Sequence, residues 1–468
     1  MSEGKKLWGG RFASDPHPDM LKLTRSIEVD RELLPFDLAV TGAHARALSR
    51  AGLLSDDDVD KIDTASKQLL QEWEEGTLTA DSEDEDIHSF VERVLTEKLG
   101  DTGARVHAGR SRNDLVVTDL RLWCKAKAAM LADLTADLVD VICRVAREHD
   151  GSVMPGYTHM QRAQPVSLAF HLLAHGFALA RDGSRFVAAY DAADVSCLGA
   201  GALAGTTLPL DPAATATDLG FSKVFSNAMD AVSDRDFACD LLHACALCGV
   251  HLSRLGEEIV LWTGSEFGFA TLAEEWSTGS SMMPQKRNPD LAELIRGRAA
   301  PTIGELASLL ALLKGLPLAY DRDLQEDKQL VFAGVARTAS SLAGTASLMS
   351  ALRFDLDRMG LAAAQGKAWA TDLAEVLVVR GVPFRQAHSA VGSLVSSLER
   401  KGSELGKASE AELKSHHDAL EAGDTAVEDP VRGMRARSGP GGPGPERVAE
   451  QIEELTAAAT RLRAATRR

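Results

Sequence analysis

The chain has 468 residues, of which 45% are hydrophobic and 25% charged, values that are ordinary for a soluble globular protein. Its 51 lysines and arginines against 68 aspartates and glutamates give a formal net charge of −17. This balance argues against a nucleic-acid backbone as the main partner, because such binding needs a basic face, but a local cluster of cations can still bind a small anion.

Several features of the chain favour a cytoplasmic protein without membrane attachment. The first six residues are polar, and no apolar core of a signal peptide follows them. The best candidate for a membrane span, residues 331–352, is interrupted by Arg337 and by several serines and threonines. The six cysteines lack the short regular spacings of a secreted disulfide framework, so a reducing compartment is expected.

Long helices are predicted for most of the chain. From Leu115 to His149 the apolar residues fall three or four apart, which predicts one helix about 50 Å long with Asp114 as its N-cap. No sustained two-residue alternation of the kind that marks a sheet is present. Helices this long and apolar are typical of bundles, often bundles completed by other subunits. Four further periodic stretches are residues 166–190, 228–262, 289–314 and 325–352. Pro301 is expected to kink the third of them.

Three segments rich in glycine, proline or small residues separate the helices. Residues 199–212 are predicted to form a crossover loop, residues 278–289 form a second loop, and residues 438–446 isolate a final helix from Arg447 onward. These breaks predict three mainly helical domains, an N-terminal one, a central long-helix one and a C-terminal one: residues 1–112, 113–360 and 361–468.

The loop that begins at Gly279 combines several ligand-binding groups within ten residues. Its sequence, GSSMMPQKRN, supplies two hydroxyls, a glycine, two cations and an amide. Such a segment can close over a ligand and present hydroxyls, backbone N–H groups and the Lys286 ammonium to an oxyanion. An ordinary polar loop before a helix, capped by Asn288 or Asp290, is equally consistent with the composition alone.

Five ordered motifs carry a family resemblance. They are LWGGRF from Leu7, EDIH from Glu85 with HAGRSRND from His107, GYTHMQRAQP from Gly156, the loop GSSMMPQKRNPD, and YDRDLQEDK from Tyr320. The loop resembles the signature of the fumarase/aspartase superfamily, and its PQKRN form is similar to that of the argininosuccinate lyase family. The resemblance extends from residue 7 to about residue 450.

The resemblance implies an all-α fold of three domains, with a central bundle of long helices completed in a homotetramer whose active sites are shared between subunits. It implies reversible β-elimination of argininosuccinate to fumarate and L-arginine, a step of arginine biosynthesis. The aci-carboxylate intermediate carries extra negative charge, so the site needs cations and donors around one carboxylate, with an acid and a base on opposite sides. We expect no metal and no organic cofactor.

Four residues receive catalytic roles from the resemblance. Ser280 is expected to be the base, a role that demands strong local stabilisation of an alkoxide. His159 is expected to be the acid with Glu293 as its carboxylate partner, although the reverse assignment of acid and base stays open. Lys286 is expected to stabilise the charge of the intermediate. Taken alone, His159 is more typical of a structural histidine, but Thr158 and the glutamines that follow it favour function.

For substrate binding the resemblance implies eight residues: Ser26, Arg112, Asn113, Thr158, Asn288, Tyr320, Gln325 and Lys328. Arg112 offers two parallel donors to a carboxylate. Its position with Arg110 just before a long helix makes an anion site more favourable than a surface salt bridge. Without the resemblance, Gln325 and Lys328, which lie three residues apart, would indicate a solvated helix face.

Alternatives to this function come from two classes. A sister lyase would act on adenylosuccinate or malate, and the WGGRF and PQKRN sequences argue against both. An inactive, crystallin-like relative would be expected to lose Ser280 or His159. The pair Cys245 and Cys248 has the residue types of a metal site, but the absence of a second CxxC favours a buried structural pair.

Overall fold

The computed structural model describes residues 17–81, 84–365 and 367–467, so the LWGGRF motif lies outside the described residues. Helix dominates this part of the chain, as the all-α prediction requires, and that prediction is confirmed. The α-helices, α1 to α19 in chain order, are Pro18–Thr24, Ile27–Asp30, Leu34–Arg50, Asp56–Glu74, Ile87–Leu99, Asp101–Arg105, Arg112–Glu148, Leu168–Ala193, Pro212–Asp218, Ala228–Ser233, Asp236–Thr263, Asp290–Leu313, Asp327–Ala351, Leu356–Gln365, Trp369–Val379, Phe384–Lys401, Glu410–His416, Pro430–Ala436 and Pro445–Ala465.

Short strands and 3₁₀ turns fill part of the space between helices. The strands β1 to β6 are Val153–Thr158, Gln161–Ser167, Val195–Ser196, Lys223–Val224, Ala270–Thr271 and Arg353–Phe354. They pair two by two, β1 with β2 and β5 with β6 antiparallel, and β3 with β4 parallel. The 3₁₀ turns are Arg31–Leu33, Glu274–Trp276, Arg322–Glu326, Leu405–Lys407 and Ala422–Glu428. Among the described helices, none is long and apolar enough to cross a membrane.

The chain divides into two compact units, and the divisions fall within the long helices α7, α8, α11, α12 and α13. The first unit comprises the chain up to Ala129 with two later segments, Ala188–Ala244 and Ile303–Val335. The second unit comprises Met130–Val187, Cys245–Thr302 and the chain from Ala336 onward.

In the first unit the helices α3 to α6 pack around a small apolar cluster. Leu48 of α3, Ile62 of α4 and Val106 are buried together there. The start of α4 is fixed by a capping box, in which Ser55 and Asp58 satisfy each other's backbone N–H groups. Burial of these apolar side chains, at about 25 cal/mol per Å² of apolar area, holds the short helices together.

In the second unit the C-terminal helices form a separate apolar cluster. Leu373 and Leu377 of α15 and Leu394 and Leu398 of α16 are buried in it. Their spacing of four residues places both members of each pair on one helix face. The amphipathic pattern of these two helices therefore accounts for their packing.

The start of α7 differs from the sequence prediction. The helix begins at Arg112, so Asp114 is not the N-cap but lies in the first turn. Ser111 precedes the helix, and its hydroxyl accepts a hydrogen bond from the Asn113 N–H at 3.2 Å. Asp114 Oδ1 accepts one from the Ser111 N–H at 3.0 Å. Ser111 thus caps the helix through the Asn113 N–H, and Asp114, the third helical residue, accepts from the backbone N–H of Ser111.

The region predicted as one helix over residues 228–262 is two helices, α10 and α11. The chain breaks between Ser233 and Asp236, and Asp234 Oδ1 accepts a hydrogen bond from the Asp236 N–H at 2.7 Å. This side chain caps α11 and competes with helix continuation. By contrast, α12 is one continuous helix that includes Pro301.

A β-hairpin stands where the sequence offered no alternating pattern. Strands β1 and β2 pair from Val153 with Ser167 to Thr158 with Gln161. The two residues between them, His159 and Met160, have φ angles of 53° and 57°. Positive φ at both central residues defines a two-residue turn of type I′, whose twist matches that of the strands. Neither residue is the asparagine or glycine that normally signals such a turn, so the local sequence does not predict the hairpin.

Candidate active site

A cavity of about 460 Å³ in the first unit collects residues from distant parts of the sequence. Six of the eight predicted substrate-binding residues line it: Ser26, Arg112, Asn113, Tyr320, Gln325 and Lys328. The other two, Thr158 and Asn288, belong to the second unit. The structure therefore brings together side chains that are separated by up to three hundred residues of chain.

Arg112 and Asn113 reach the cavity from the first turn of α7. The Arg112 guanidinium donates to Asp86 Oδ2 at 2.9 Å, and Asp86 is itself the N-cap of α5. The Asn113 side chain donates to the carbonyl of Ala202 at 3.1 Å. These hydrogen bonds to other protein groups orient both side chains, and the N-terminus of α7 adds partial positive charge near them.

Asp114 ties the predicted crossover loop to this helix start. Its Oδ2 accepts hydrogen bonds from the backbone N–H groups of Gly199 and Gly201 at 3.0 and 2.8 Å. Burial raises the pKa of Asp114 to about 6, although these backbone donors act in the opposite direction. A Cβ on Gly201, whose φ is +60°, would lie 2.6 Å from the Gly205 carbonyl oxygen. The loop can therefore pack here only with glycine at that position.

A buried ion cluster holds Lys328 at the edge of the cavity. Its ammonium lies 2.9 Å from Asp327 Oδ1, and the guanidinium Nε of Arg235 lies 2.5 Å from Asp327 Oδ2. Asp327 and Arg235 are almost fully buried. Burial raises the pKa of Asp327, but the charges of Lys328 and Arg235 outweigh it and keep that pKa below its usual range. The cluster therefore carries one more positive than negative charge toward the cavity.

The 3₁₀ turn Arg322–Glu326 forms another wall. Arg322 donates to Glu85 at 2.5 Å and to the carbonyl of Thr24 at 2.7 Å. The side-chain amide of Gln325 donates to the same carbonyl at 3.2 Å. Burial raises the pKa of Tyr320, so its hydroxyl stays protonated and can donate.

Ser26 and Asp30 complete the wall near the N-terminus of the described chain. The Ser26 hydroxyl donates to Asp30 Oδ2 at 2.5 Å. Burial raises the pKa of Asp30, while the charge of Lys328 acts against that rise. The other oxygen of Asp30 is buried and has no hydrogen-bond partner within the described chain. An unpaired buried acceptor of this kind is suited to a ligand donor.

His88 is a lining residue of the cavity and lies between two buried aspartates. Its Nδ1 is 2.6 Å from Asp37 Oδ2 and 3.4 Å from Asp119 Oδ2, and all three side chains are almost fully buried. Burial alone would lower the pKa of His88, but the contacts with Asp119 and Asp37 raise it to about 10. Burial and the charge of Asp37 raise the pKa of Asp119 to about 8. The two neighbouring carboxyls therefore favour the protonated form of His88, while burial and the closeness of Asp37 favour keeping a proton on Asp119.

This cluster makes folding stability depend on pH. The pKa of His88 is about 10 in the folded chain against 6.5 for a free histidine, so its contribution is complete below pH 6.5 and lost by pH 10. The raised pKa of Asp119 acts in the same direction up to about pH 8. We expect urea midpoints to fall as pH rises from 6.5 to 10. A His88→Gln variant is expected to show a flatter profile, and an equal slope in both proteins would contradict the assignment.

His159 is exposed at the tip of the β1–β2 hairpin in the second unit, directly after the exposed Thr158. Its left-handed backbone costs a non-glycine residue about 1–2 kcal/mol. Such strain persists only where the surrounding strands determine the conformation, and it is typical of functional positions. The hairpin thus presents the imidazole to solvent on a short, fixed turn.

The predicted catalytic loop is closed at its base and exposed at its tip. The backbones of Thr278 and Asn288 exchange two hydrogen bonds, at 2.9 and 3.2 Å. The hydroxyl oxygen of Ser280 accepts hydrogen bonds from the backbone N–H groups of Met282 and Met283 at 3.3 and 3.1 Å. Two N–H donors on one oxygen favour negative charge there. Lys286 is exposed.

Glu293 occupies the first turn of α12 and is exposed. Within the described residues, no hydrogen bond joins it to His159. The predicted pairing of these two residues is therefore not formed inside one chain.

Several residues of the cavity were not singled out for binding from the sequence. Asp86 and His88 stand inside a motif that carried the resemblance, so that motif was the available signal. Asp30 had no such signal, because a lone aspartate in a short helix is ordinarily solvated. The complete additional set is Asp30, Glu85, Asp86, His88, Glu92, His107, Val116 and Arg322.

Comparison with known proteins identifies the family. A family model described as Lyase matches residues 10–304, and one described as Argininosuccinate lyase C-terminal matches residues 367–432. The argininosuccinate lyase of Frankia casuarinae is 48% identical over 451 residues, which cover 96% of this chain and 97% of that protein. That of Acidothermus cellulolyticus is 48% identical over 457 residues, with coverage of 97% and 94%.

Solved structures share the fold. The structure of EDDS lyase in complex with formate matches this chain with a TM-score of 0.82 and 26% identity. The match covers 97% of this chain and 92% of the EDDS lyase chain. The class II fumarase of Schistosoma mansoni has a TM-score of 0.73 at 16% identity, with coverage of 86% and 90%. The helical architecture and the family models together define a lyase of the fumarase/aspartase superfamily. Within that superfamily, the chain belongs to the argininosuccinate lyase family.

Proposed function

We propose that the chain catalyses the reversible β-elimination of argininosuccinate to fumarate and L-arginine, as a cytoplasmic enzyme of arginine biosynthesis. The observation that carries this proposal is the mixed charge of the cavity, where Arg112, Arg322 and Lys328 stand with Asp30 and Asp86. Argininosuccinate combines carboxylates with an ammonium and a guanidinium group. A cavity lined by charges of only one sign would match only part of such a substrate.

The substrate's carboxylates are proposed to bind the cationic side of the cavity. Arg112 supplies parallel donors, and Asn113 supplies an amide that is already oriented by the Ala202 carbonyl. The ammonium or guanidinium group is proposed to face Asp30, whose unpartnered buried oxygen supports this orientation. Tyr320 and Gln325 contribute neutral donors beside them.

Ser280 is proposed to act as the base and His159 as the acid. Two backbone N–H groups already donate to the Ser280 oxygen, which supports the stabilisation that an alkoxide needs. The base removes the proton beside the carboxylate, and the acid gives a proton to the leaving guanidino nitrogen. Lys286 and Asn288 are proposed to stabilise the aci-carboxylate. Glu293 is proposed to orient His159 from another subunit, since the two do not meet in one chain.

A homotetramer with shared active sites is the proposed assembly, with domain divisions near residues 112 and 360. Its support is that the predicted catalytic and substrate-binding residues are distributed over the two units. In such an assembly Ser280, His159 and Asn113 of one site come from different subunits.

Mixed mutants test the shared site. Ser280→Ala and His159→Ala proteins, each inactive alone, are expected to regain activity when mixed and allowed to exchange subunits, because some sites then hold both native residues. Activity is measured by fumarate release, and subunit exchange by native mass spectrometry of isotope-labelled chains. Proven exchange without any recovery would rule out the shared site.

Arg112 provides a test of substrate binding. Arg112→Gln is expected to lower kcat/KM for argininosuccinate about 10- to 150-fold, because a hydrogen bond to a charged group contributes about 1.5–3 kcal/mol. Steady-state kinetics measures the loss. Arg105→Gln is the control, since Arg105 is half-exposed and lies outside the cavity lining. Equal kcat/KM in wild type and Arg112→Gln would remove Arg112 from the binding site.

The overall reaction is tested directly. Purified protein is incubated with argininosuccinate, fumarate is followed by ultraviolet absorbance, and arginine is identified by mass spectrometry. Equal release of both products is expected. No release by folded protein would contradict the proposal, and adenylosuccinate and malate would then separate a sister lyase from an inactive relative.

A further inference from the structure

Two histidines and a glutamate form a compact cluster in the second unit that the proposed reaction does not use. His171 and His175 lie one turn apart on α8, and Glu258 lies on α11. The Nε2 atoms of both imidazoles are within hydrogen-bond distance of the same carboxylate oxygen, Glu258 Oε2, at 2.6 and 2.8 Å. Three ligand atoms therefore converge on one point, from two helices.

The surroundings leave this cluster partly open. The side chains of His171, His175 and Glu258 are 23%, 13% and 32% exposed. The His171 ring packs against Trp262, with ring centroids 5.1 Å apart. An aromatic residue thus packs against the cluster, and its three side chains stay partly exposed in the single chain.

We propose that His171, His175 and Glu258 bind a divalent first-row metal ion, with Zn²⁺ as the reference ion. Two imidazole nitrogens and one carboxylate oxygen are ligands that Zn²⁺ takes in proteins, with a fourth position left for water. The ligand atoms all lie within 4.8 Å of one another. Tetrahedral coordination at about 2.0–2.1 Å needs ligand separations of about 3.3 Å, so the two histidine–glutamate contacts must open by about 0.5–0.7 Å.

Metal binding would replace the two imidazole–carboxylate contacts with coordination bonds to the Nε2 atoms of His171 and His175 and to a Glu258 oxygen. A ligating imidazole is neutral and carries its proton on Nδ1, so any hydrogen on Nε2 must leave that nitrogen when the ion binds.

The second acid–histidine cluster of the described chain differs in the respects that matter for binding. Asp37, His88 and Asp119 are almost fully buried, and their histidine is held as an imidazolium by Asp37. A cation there would have to displace a buried positive charge from between two carboxyls. The side chains of the His171 cluster are less buried.

Calorimetric titration of the full-length protein tests the site. After treatment with EDTA and desalting, the protein is titrated with ZnCl₂, and the visible spectrum of the Co²⁺ form reports the ligand set. Wild type is expected to bind one tight ion per chain at this site. His171→Ala and Glu258→Gln are each expected to weaken that binding more than about 10-fold, since even outer-sphere partners of a metal site contribute 10- to 100-fold.

The control variant is His243→Ala, which removes an exposed histidine of α11 outside the cluster and is expected to leave Zn²⁺ affinity unchanged. Circular dichroism confirms that each variant is folded. No tight Zn²⁺ binding by wild type, or equal affinity and an unchanged Co²⁺ spectrum in His171→Ala and Glu258→Gln, would overturn the proposal. Because the readout is metal binding, the result is independent of the lyase reaction.

Discussion

Ser280→Ala is expected to lower kcat about 10²- to 10⁴-fold, the range that a positioned acid or base contributes. The hydroxyl oxygen that the substitution removes accepts two backbone N–H groups at the tip of an exposed loop. Those donors would stabilise the serine alkoxide, and alanine offers no group that can replace it. Because Ser280 contributes no buried apolar contact, circular dichroism and the urea midpoint are expected to stay unchanged.

The neighbouring serine supplies the matched control. Ser281 is exposed and stands in the same loop, so Ser281→Ala makes the same chemical change one residue away. It is expected to keep most of the activity. Steady-state fumarate release and single-turnover rates distinguish the two variants. A Ser280→Ala enzyme with wild-type single-turnover rate would show that another group removes the proton.

His88→Gln is expected to lower the free energy of unfolding by about 3–5 kcal/mol, the cost of leaving a buried charge without its partner. Asp37 would lose an imidazolium contact of 2.6 Å at an almost fully buried position. Urea unfolding, followed by circular dichroism at fixed protein concentration, measures the change.

Two further variants identify the cause of that loss. His243→Gln removes an exposed histidine and is expected to change stability by less than about 0.5 kcal/mol. The double variant His88→Gln, Asp37→Asn removes both charges, and it is expected to be more stable than His88→Gln alone. If the double variant is less stable still, the cost arises from packing, not from an unpaired charge.

Local periodicity explains why the helices were predictable. The three- and four-residue spacing of apolar side chains between Leu115 and His149 depends on neighbours within two turns, and α7 spans nearly the same residues. The predicted helix boundaries were wrong where a side chain forms a hydrogen bond with the backbone. Ser111 starts α7 ahead of Asp114, and Asp234 separates α10 from α11. Such competition depends on side-chain geometry and not on hydrophobic spacing.

The reaction class came from the resemblance of ordered sequence motifs to those of a known family. Ser280, Lys286 and Asn288 stand in one such motif, and His159 in another. Family membership, which the comparisons establish, follows from those motifs. The roles of these individual residues stay predictions that the experiments above test.

Only the tertiary structure decided which distant residues meet. His88 contacts Asp37 across 51 positions of sequence. Asp30 and Lys328, which are far apart in the sequence, line the same cavity. The spacing of His171 and His175 was visible in the sequence, but Glu258 was not linked to them. Burial shifts the pKa values of such groups, and only a few neighbouring residues can then satisfy their hydrogen bonds. Those neighbours are chosen by long-range packing, which local patterns in a single sequence do not encode.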